Sequence, residues 1–303
     1  MIRFLAALSL LPAVATADVP RVMTDIAPIH SLTAQVMGDL GTPDLLLPPG
    51  ADPHDFALRP SDAARLGQAD LVIWVGEGLT PWLAEPLQTL APQAASLSLL
   101  EVDGWEALDA HEEEETEEHD DDHDHDHDHG DIDPHGWLDP VVAQVWVAEI
   151  ARNLSTADSE NAATYAANAQ AAIVALNALE QDMVTQLAGL SDRAYVLPHD
   201  GYRYFETRVG LTAQAAIAGL DARTPGPAQI AQLREQMTAQ NVVCVFSDAE
   251  IGDRWANLIT EGTAAKTVAI DGVGLGLGAG PMLYDQLIRR LATQFTACLE
   301  PDS

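Results

Sequence analysis

Basic residues are scarce. Against 47 Asp and Glu the 303-residue chain sets only 14 Lys and Arg, Lys266 being the single lysine, and the formal net charge is −33. So acidic a surface repels phosphate backbones and anionic lipid, which excludes nucleic acid and anionic membranes as partners and favours cations. Cysteine is nearly as rare, with Cys244 and Cys298 the whole complement, too few and too far apart for a zinc knuckle. Beyond the first 17 residues no run is long and apolar enough to span a bilayer. Catalytic signatures are also missing. There is no HExxH and no GxSxG, and the Gly-rich stretch 272–280, GVGLGLGAG, does not satisfy the GxGxxG spacing of a dinucleotide loop. Glu77 and Glu250 are the remaining candidates for a general base.

The start of the chain, MIRFLAALSLLPAVATA, places one positive charge, Arg3, before an apolar run at 4–14 and a small-x-small site at Ala15-Thr16-Ala17. This reads as a secretory signal peptide over 1–17, with Asp18 as the first mature residue in an exported, periplasmic compartment. No cysteine lies near the cut, which argues against a lipid anchor. In such a compartment an even pair of cysteines reads as a disulfide, with two buried free thiols as the alternative. A bridge from Cys244 to Cys298 would restrain the unfolded chain by about 4 kcal/mol on the entropic account.

What the chain has in abundance lies between His111 and His129. Six of the ten histidines, His111, His119, His123, His125, His127 and His129, stand there among 12 acidic residues, ending in HDHDHDHDH. With no hydrophobic residue the segment has nothing to bury and is expected to be disordered. Neutral imidazole is the commonest metal ligand, and carboxylates attract a dication while holding it loosely. A solvated acidic linker or an expression tag is the plainer reading, but a tag sits at a terminus and a linker has no need of alternating histidine. The composition therefore points to low-affinity handling of a transition metal.

On either side of this segment short apolar runs alternate with helical patterns. The runs 22–26, 45–47 and 71–75 read as strands, with helical turns at 31–37 and 61–66. The pattern recurs later in strands at 194–197, 213–217, 242–246 and 268–270. Continuous apolar strands separated by helices imply parallel sheets covered on both faces. With 47% hydrophobic residues there is ample core material for two α/β domains. Between them, residues 159–190 form one long helix. Tyr165, Ala169, Ala172, Leu176, Leu179, Met183 and Leu187 recur at three-and-four spacing, Asp158 or Ser159 can cap the start, and Gly189 lies near the end. At 1.5 Å per residue such a helix is roughly 45 Å long, enough to act as a strut along both domains. The expected division is 18–157 for the first domain, with the His/acid loop at 111–133, then 158–190 for the helix and 191–303 for the second domain.

Four histidines lie outside the acidic segment. His54 sits in GADPHDFALRPSD, His135 in DPHGWLDP and His199 in YVLPHDGYRYF, each preceded by proline, which removes a backbone donor and stiffens the approach. In α/β sheets, ligands bind where loops leave the carboxyl ends of strands, and three similar sites in two domains suggest one shared centre. His30, in APIHSL, either faces the same cleft or is a helix-start histidine bonded to backbone. Asp139, Asp200 and Asp248 are candidates for capping or for accepting the second N–H of a ligating imidazole. Trp137, Tyr202, Tyr204 and Phe205 read as core or cleft wall.

These motifs, with GADPHDFALRPSDAARLGQADLVIWVG, HGWLDP and LPHDGYRYF in that order, resemble the zinc-specific solute-binding proteins of bacterial ABC importers, the ZnuA type, over essentially the whole mature chain. The resemblance implies two α/β domains joined by a long helix, with Zn²⁺ held in the cleft by His54, His135 and His199. It also implies a disulfide between Cys244 and Cys298. Some members place a glutamate before the first histidine; here that residue is Pro53, so Asp271, in VAIDGVG, or water is left as the fourth ligand. Related manganese binders carry a carboxylate at the position of His199, and three neutral imidazoles favour zinc. The implied partners are a membrane permease and its ATPase, with the protein itself a monomer and not an enzyme. A zinc hydrolase and a metal buffer acting through the acidic segment alone are the competing functions.

Overall fold

A computed structural model of the chain describes residues 19–110, 132–223, 225–249 and 251–301. The expected signal peptide, the histidines from His111 to His129 and Glu250 lie outside the described residues.

The first sheet is built from β1 (Val22–Thr24), β2 (Asp44–Leu45), β3 (Leu71–Trp74) and β4 (Ala95–Ser98), in the order β2-β1-β3-β4 and parallel throughout. The second uses β5 (Tyr195–His199), β6 (Ala215–Ala218), β7 (Cys244–Ser247) and β8 (Lys266–Ala269), in the order β6-β5-β7-β8, again all parallel. The two halves thus repeat one topology. The central strands carry the most apolar sequence: every residue of β3 (LVIW), β5 (YVLPH) and β7 (CVFS) is buried, as strands covered on both faces require.

Helices α1 (Ala27–Met37), α2 (Pro60–Leu66) and α3 (Pro81–Leu90) belong to the first half, and α6 (Arg203–Val209), α7 (Pro227–Ala239), α8 (Asp253–Thr260) and α9 (Leu283–Leu299) to the second. Between them run α4 (Pro140–Ala157) and α5 (Ala162–Leu187). Proline stands in the first turn of α1, α2, α3, α4 and α7, where its missing N–H costs nothing and its fixed φ suits the helix.

Helix α5 is 26 residues long, about 39 Å at the usual rise. Its ends fall inside the sequence-based limits. Asn161 occupies the N-cap position, while the Asp158 carboxylate accepts from the Asn161 backbone and side-chain N–H groups and from Tyr165 Oη. Gly189, at φ +85°, turns the chain away past the last turn, a conformation that favours glycine. The buried face of α5 packs on α4, α1 and α9, so the helix touches elements of both halves. One apolar cluster runs from Ile26, Ile29 and Ile73 through Trp146 and Leu176 to Phe246 and Phe295, joining the halves, and smaller clusters cover the outer face of each sheet. Among the described residues no helix is long and apolar enough to cross a membrane.

Cys244, at the start of β7, is bonded to Cys298, near the end of α9, with Cα atoms 5.6 Å apart and both residues fully buried. The bridge fastens the last helix to the centre of the second sheet.

Candidate metal centre

Three segments bring imidazoles to the junction of the two halves. His199 is the last residue of β5. That strand and β7 are neighbours, with the chain crossing over on opposite sides of them, and such a switch point opens a crevice at the carboxyl ends of the strands. Asp248, directly after β7, reaches across this crevice and accepts a bond from His199 Nδ1 at 3.0 Å, which leaves Nε2 facing the cleft.

His54 and His135 arrive in the same tripeptide, Asp-Pro-His. In both copies the aspartate side chain accepts the backbone N–H of the histidine two residues on: Asp52 Oδ1 at 2.8 Å from His54 N, and Asp133 Oδ1 at 3.0 Å from His135 N. This is the local turn that Asp readily forms, and the intervening proline, with no N–H and a fixed φ, stiffens it. Asp133 does more. The same oxygen lies 2.8 Å from His135 Nδ1, so it also accepts the ring N–H and sets the tautomer with Nε2 free. Trp82 Nε1 donates to the Pro53 carbonyl at 2.8 Å and steadies the loop that carries His54.

The outcome is a compact group. One ligand atom from each of His54, His135 and His199 lies within 4.8 Å of the others. Ring centroids are 5.4 Å apart for His54 and His135, 5.4 Å for His135 and His199, and 6.3 Å for His54 and His199. His135 and His199 are buried, His54 is half-buried, and the buried His54 Nε2 has no hydrogen-bond partner. Gly201 makes the closeness possible: a Cβ there would stand 2.2 Å from His199 Nε2 and 2.9 Å from His135 Nε2. Burial, followed by the neighbouring His135 and His199, pushes His54 down to about 2. His135 is lowered as well, chiefly by burial, with Asp133 opposing the shift. Neutral, inward-facing imidazoles are the form in which histidine binds a dication.

The remaining expected residues fall in different places. Asp271 follows β8 and shares the lining of a cavity of about 70 Å³ with Asp52, Tyr202 and Asp248, but its carboxylate is engaged. Oδ2 pairs with Arg290, and Oδ1 accepts from the amides of Val273 and Gly274 at 3.0 and 2.9 Å. His30 lies in α1 with Nε2 3.0 Å from the Pro43 carbonyl, the backbone-bonded alternative. Asp139 caps α4 through Val141 N. Tyr202, Tyr204, Phe205 and Trp137 are buried wall and core, and the Tyr202 ring lies tilted against His199 with centroids 5.4 Å apart. Glu77 is exposed. The residue that sequence reasoning missed is Asp133; the repeated Asp-Pro-His tripeptide was the available signal. A larger groove of about 820 Å³ runs beside β6, and among the described residues no histidine lines it.

Two parallel α/β halves of one topology, spanned by a long helix and meeting around three inward-facing imidazoles, define a two-domain solute-binding protein. The comparisons agree. The family described as zinc-uptake complex component A periplasmic, ZnuA, matches residues 22–298. High-affinity zinc uptake system protein ZnuA of Paracoccus denitrificans is 39% identical, over 98% of this chain and 97% of that protein. The protein of the same name from Brucella abortus is 33% identical, over 92% and 91%. Among solved structures, a crystal structure of ZnuA superposes with a TM-score of 0.78 at 20% identity, covering 93% of this chain and all of that one (100%). A zinc-bound ZnuA deletion mutant gives 0.78 at 21%, over 94% and 100%. The chain belongs to the ZnuA family.

Proposed function

We propose that the protein captures Zn²⁺ at His54, His135 and His199 and delivers it to the membrane permease of an ATP-driven zinc importer in the periplasm. The observation that carries this reading is the three-histidine group: ligand atoms within 4.8 Å, drawn from both halves of the molecule. Three neutral imidazoles suit zinc better than manganese, and the relatives bear the name of zinc uptake proteins. The site binds and releases its cargo without chemistry. Asp271, already paired with Arg290 and two amides, is a poorer fourth ligand than water.

Residues 1–17 direct export and are removed, and the division at 157/158 and 190/191 separates the two domains from the helix that links them. The mature protein acts as a monomer, with no membrane anchor and no nucleic-acid partner. The histidines from His111 to His129 bind zinc weakly, either gathering it for the tight site or sensing its level to regulate uptake.

Zinc titration in competition with a strong chelator tests the reading. The mature protein is compared with a His54→Ala, His135→Ala, His199→Ala variant, both lacking residues 112–130. One tight equivalent in the first and none in the second is the expected result. Equal binding by both, or binding by neither, would remove the site from the cleft and leave any metal function to the acidic segment. Zinc-dependent turnover of an ester, amide or phosphate panel would restore the hydrolase alternative.

A further inference from the structure

The segment that carries His135 is gripped by the second half of the molecule. Trp137 Nε1 donates to the Gly272 carbonyl at 2.8 Å, and Tyr284 Oη donates to the Trp137 carbonyl at 2.7 Å. The strongest tie comes two residues later. Arg208, on α6, donates from Nε to Asp139 Oδ1 at 2.9 Å and from Nη2 to Asp139 Oδ2 at 2.7 Å, a bidentate pair spanning 69 residues of sequence. Asp139 is buried and also caps α4 through Val141 N at 2.8 Å, so its carboxylate is fixed at both ends.

The placement of this pair is what matters. Asp139 follows His135 by four residues, and Arg208 follows His199 by nine, on the helix that the His199 loop enters. The ion pair therefore bridges the same two segments whose imidazoles stand 5.4 Å apart. We infer that Arg208 is a positioning residue for the metal site, holding the His135 segment at the spacing from His199 that one ion requires. A planar guanidinium sets two nitrogens in parallel bonds to the two carboxylate oxygens, a fork that the single nitrogen of a lysine ammonium does not reproduce. Without it the His135 segment keeps only its ties through Trp137, so more of its spacing from His199 must be ordered when the ion binds, and affinity lost to that ordering is the usual consequence of removing preorganisation.

The inference rests on the three-histidine reading above, and the test separates the two. Arg208→Met, Arg208→Lys and His135→Ala are made in the mature protein lacking residues 112–130. Each is titrated with Co²⁺, followed by visible absorption, and with Zn²⁺ against a chelator. Arg208→Met is expected to weaken zinc binding about tenfold or more, the scale on which support of metal ligands operates, and to shift or weaken the Co²⁺ bands. Arg208→Lys should fall between it and the parent. Asp139→Asn keeps an acceptor for Val141 N while losing the charge, so it should reproduce the defect. In the double variant the two losses should not add.

A purely structural role would lower the melting temperature and leave both metal readouts unchanged; that result overturns the inference. Should Arg208→Met fail to give a cooperative melt, the Lys and Asp139→Asn variants are read by the same criterion. If His135→Ala leaves the Co²⁺ spectrum of the parent unchanged, it is the site itself that has been misplaced, whatever Arg208 does.

Discussion

Asp133 holds His135 twice with one oxygen, at 3.0 Å to the backbone N–H and 2.8 Å to Nδ1. Both residues are buried, so no solvent competes for the bond. The carboxylate thus orients the ring and raises the basicity of Nε2, the atom left for a metal. Asp133→Asn keeps an acceptor but not the charge, and Asp133→Ala removes both. Zinc affinity should fall in that order, reaching about 10- to 100-fold for the alanine variant. Chelator competition on folded protein measures it, and equal affinities across the series would detach Asp133 from the site.

Much of this was readable beforehand, for identifiable reasons. All seven residues that mark one face of the long helix, from Tyr165 to Leu187, are the ones its packing buries, because 3.6-residue periodicity records which side meets the core. The apolar runs of β3 and β7 stood out because both sides of those strands are covered. β4 did not: Ala95 and Ser96 are exposed at the edge of the first sheet, so its sequence lacks an apolar run. Three similar, proline-preceded histidines near strand ends suggested one shared centre, and the particular set of His54, His135 and His199 was what the family resemblance implied. The commitment of His30 to Pro43 and of Asp271 to Arg290 depends on residues brought close only by the fold.

The Cys244–Cys298 bridge closes 54 residues of chain and ties α9 to β7. Replacing both cysteines by alanine should lower stability by about 2–5 kcal/mol, the usual scale for losing a native disulfide. Denaturant unfolding under oxidising conditions measures the difference. A variant as stable as the parent would mean that packing of α9 alone holds the helix.

Glu206 is a buried carboxylate with a consequence for pH. Its Oε1 accepts from Tyr195 Oη and, at 2.7 Å, from Ala213 N, yet burial outweighs both bonds and raises it to about 7. A raised folded value means that the folded state holds the extra proton. Stability from this group is therefore complete below the unfolded value near 4.5 and is lost as pH climbs through 7. Gln at this position keeps the acceptor and never charges. Glu206→Gln should therefore gain on the parent as pH rises from 5 to 8, by about 1–3 kcal/mol at the upper end. Melting curves at four pH values decide it; a constant offset would show that the carboxylate does not change charge in this range.

His54 acts with the opposite sign. Burial and the adjacent His135 and His199 hold it near 2, so the unfolded chain protonates at this position below about 6.5 while the folded chain does not. Stability from this group is present in full above 6.5 and falls as pH drops below it. For metal binding the effect is protective. Three ordinary imidazoles would each have to shed a proton, and affinity would fall by about three log units per pH unit below 6.5. His54 leaves that count, and the lowered His135 contributes less than an ordinary imidazole would. Between pH 6 and 5 the slope of log affinity against pH should thus stay below about two, shifting the acid loss of zinc to lower pH than the histidine composition alone implies. Chelator competition at half-unit steps on the protein lacking residues 112–130 gives the slope directly. A value of three would mean that the imidazoles titrate as exposed groups and that the site is open to water.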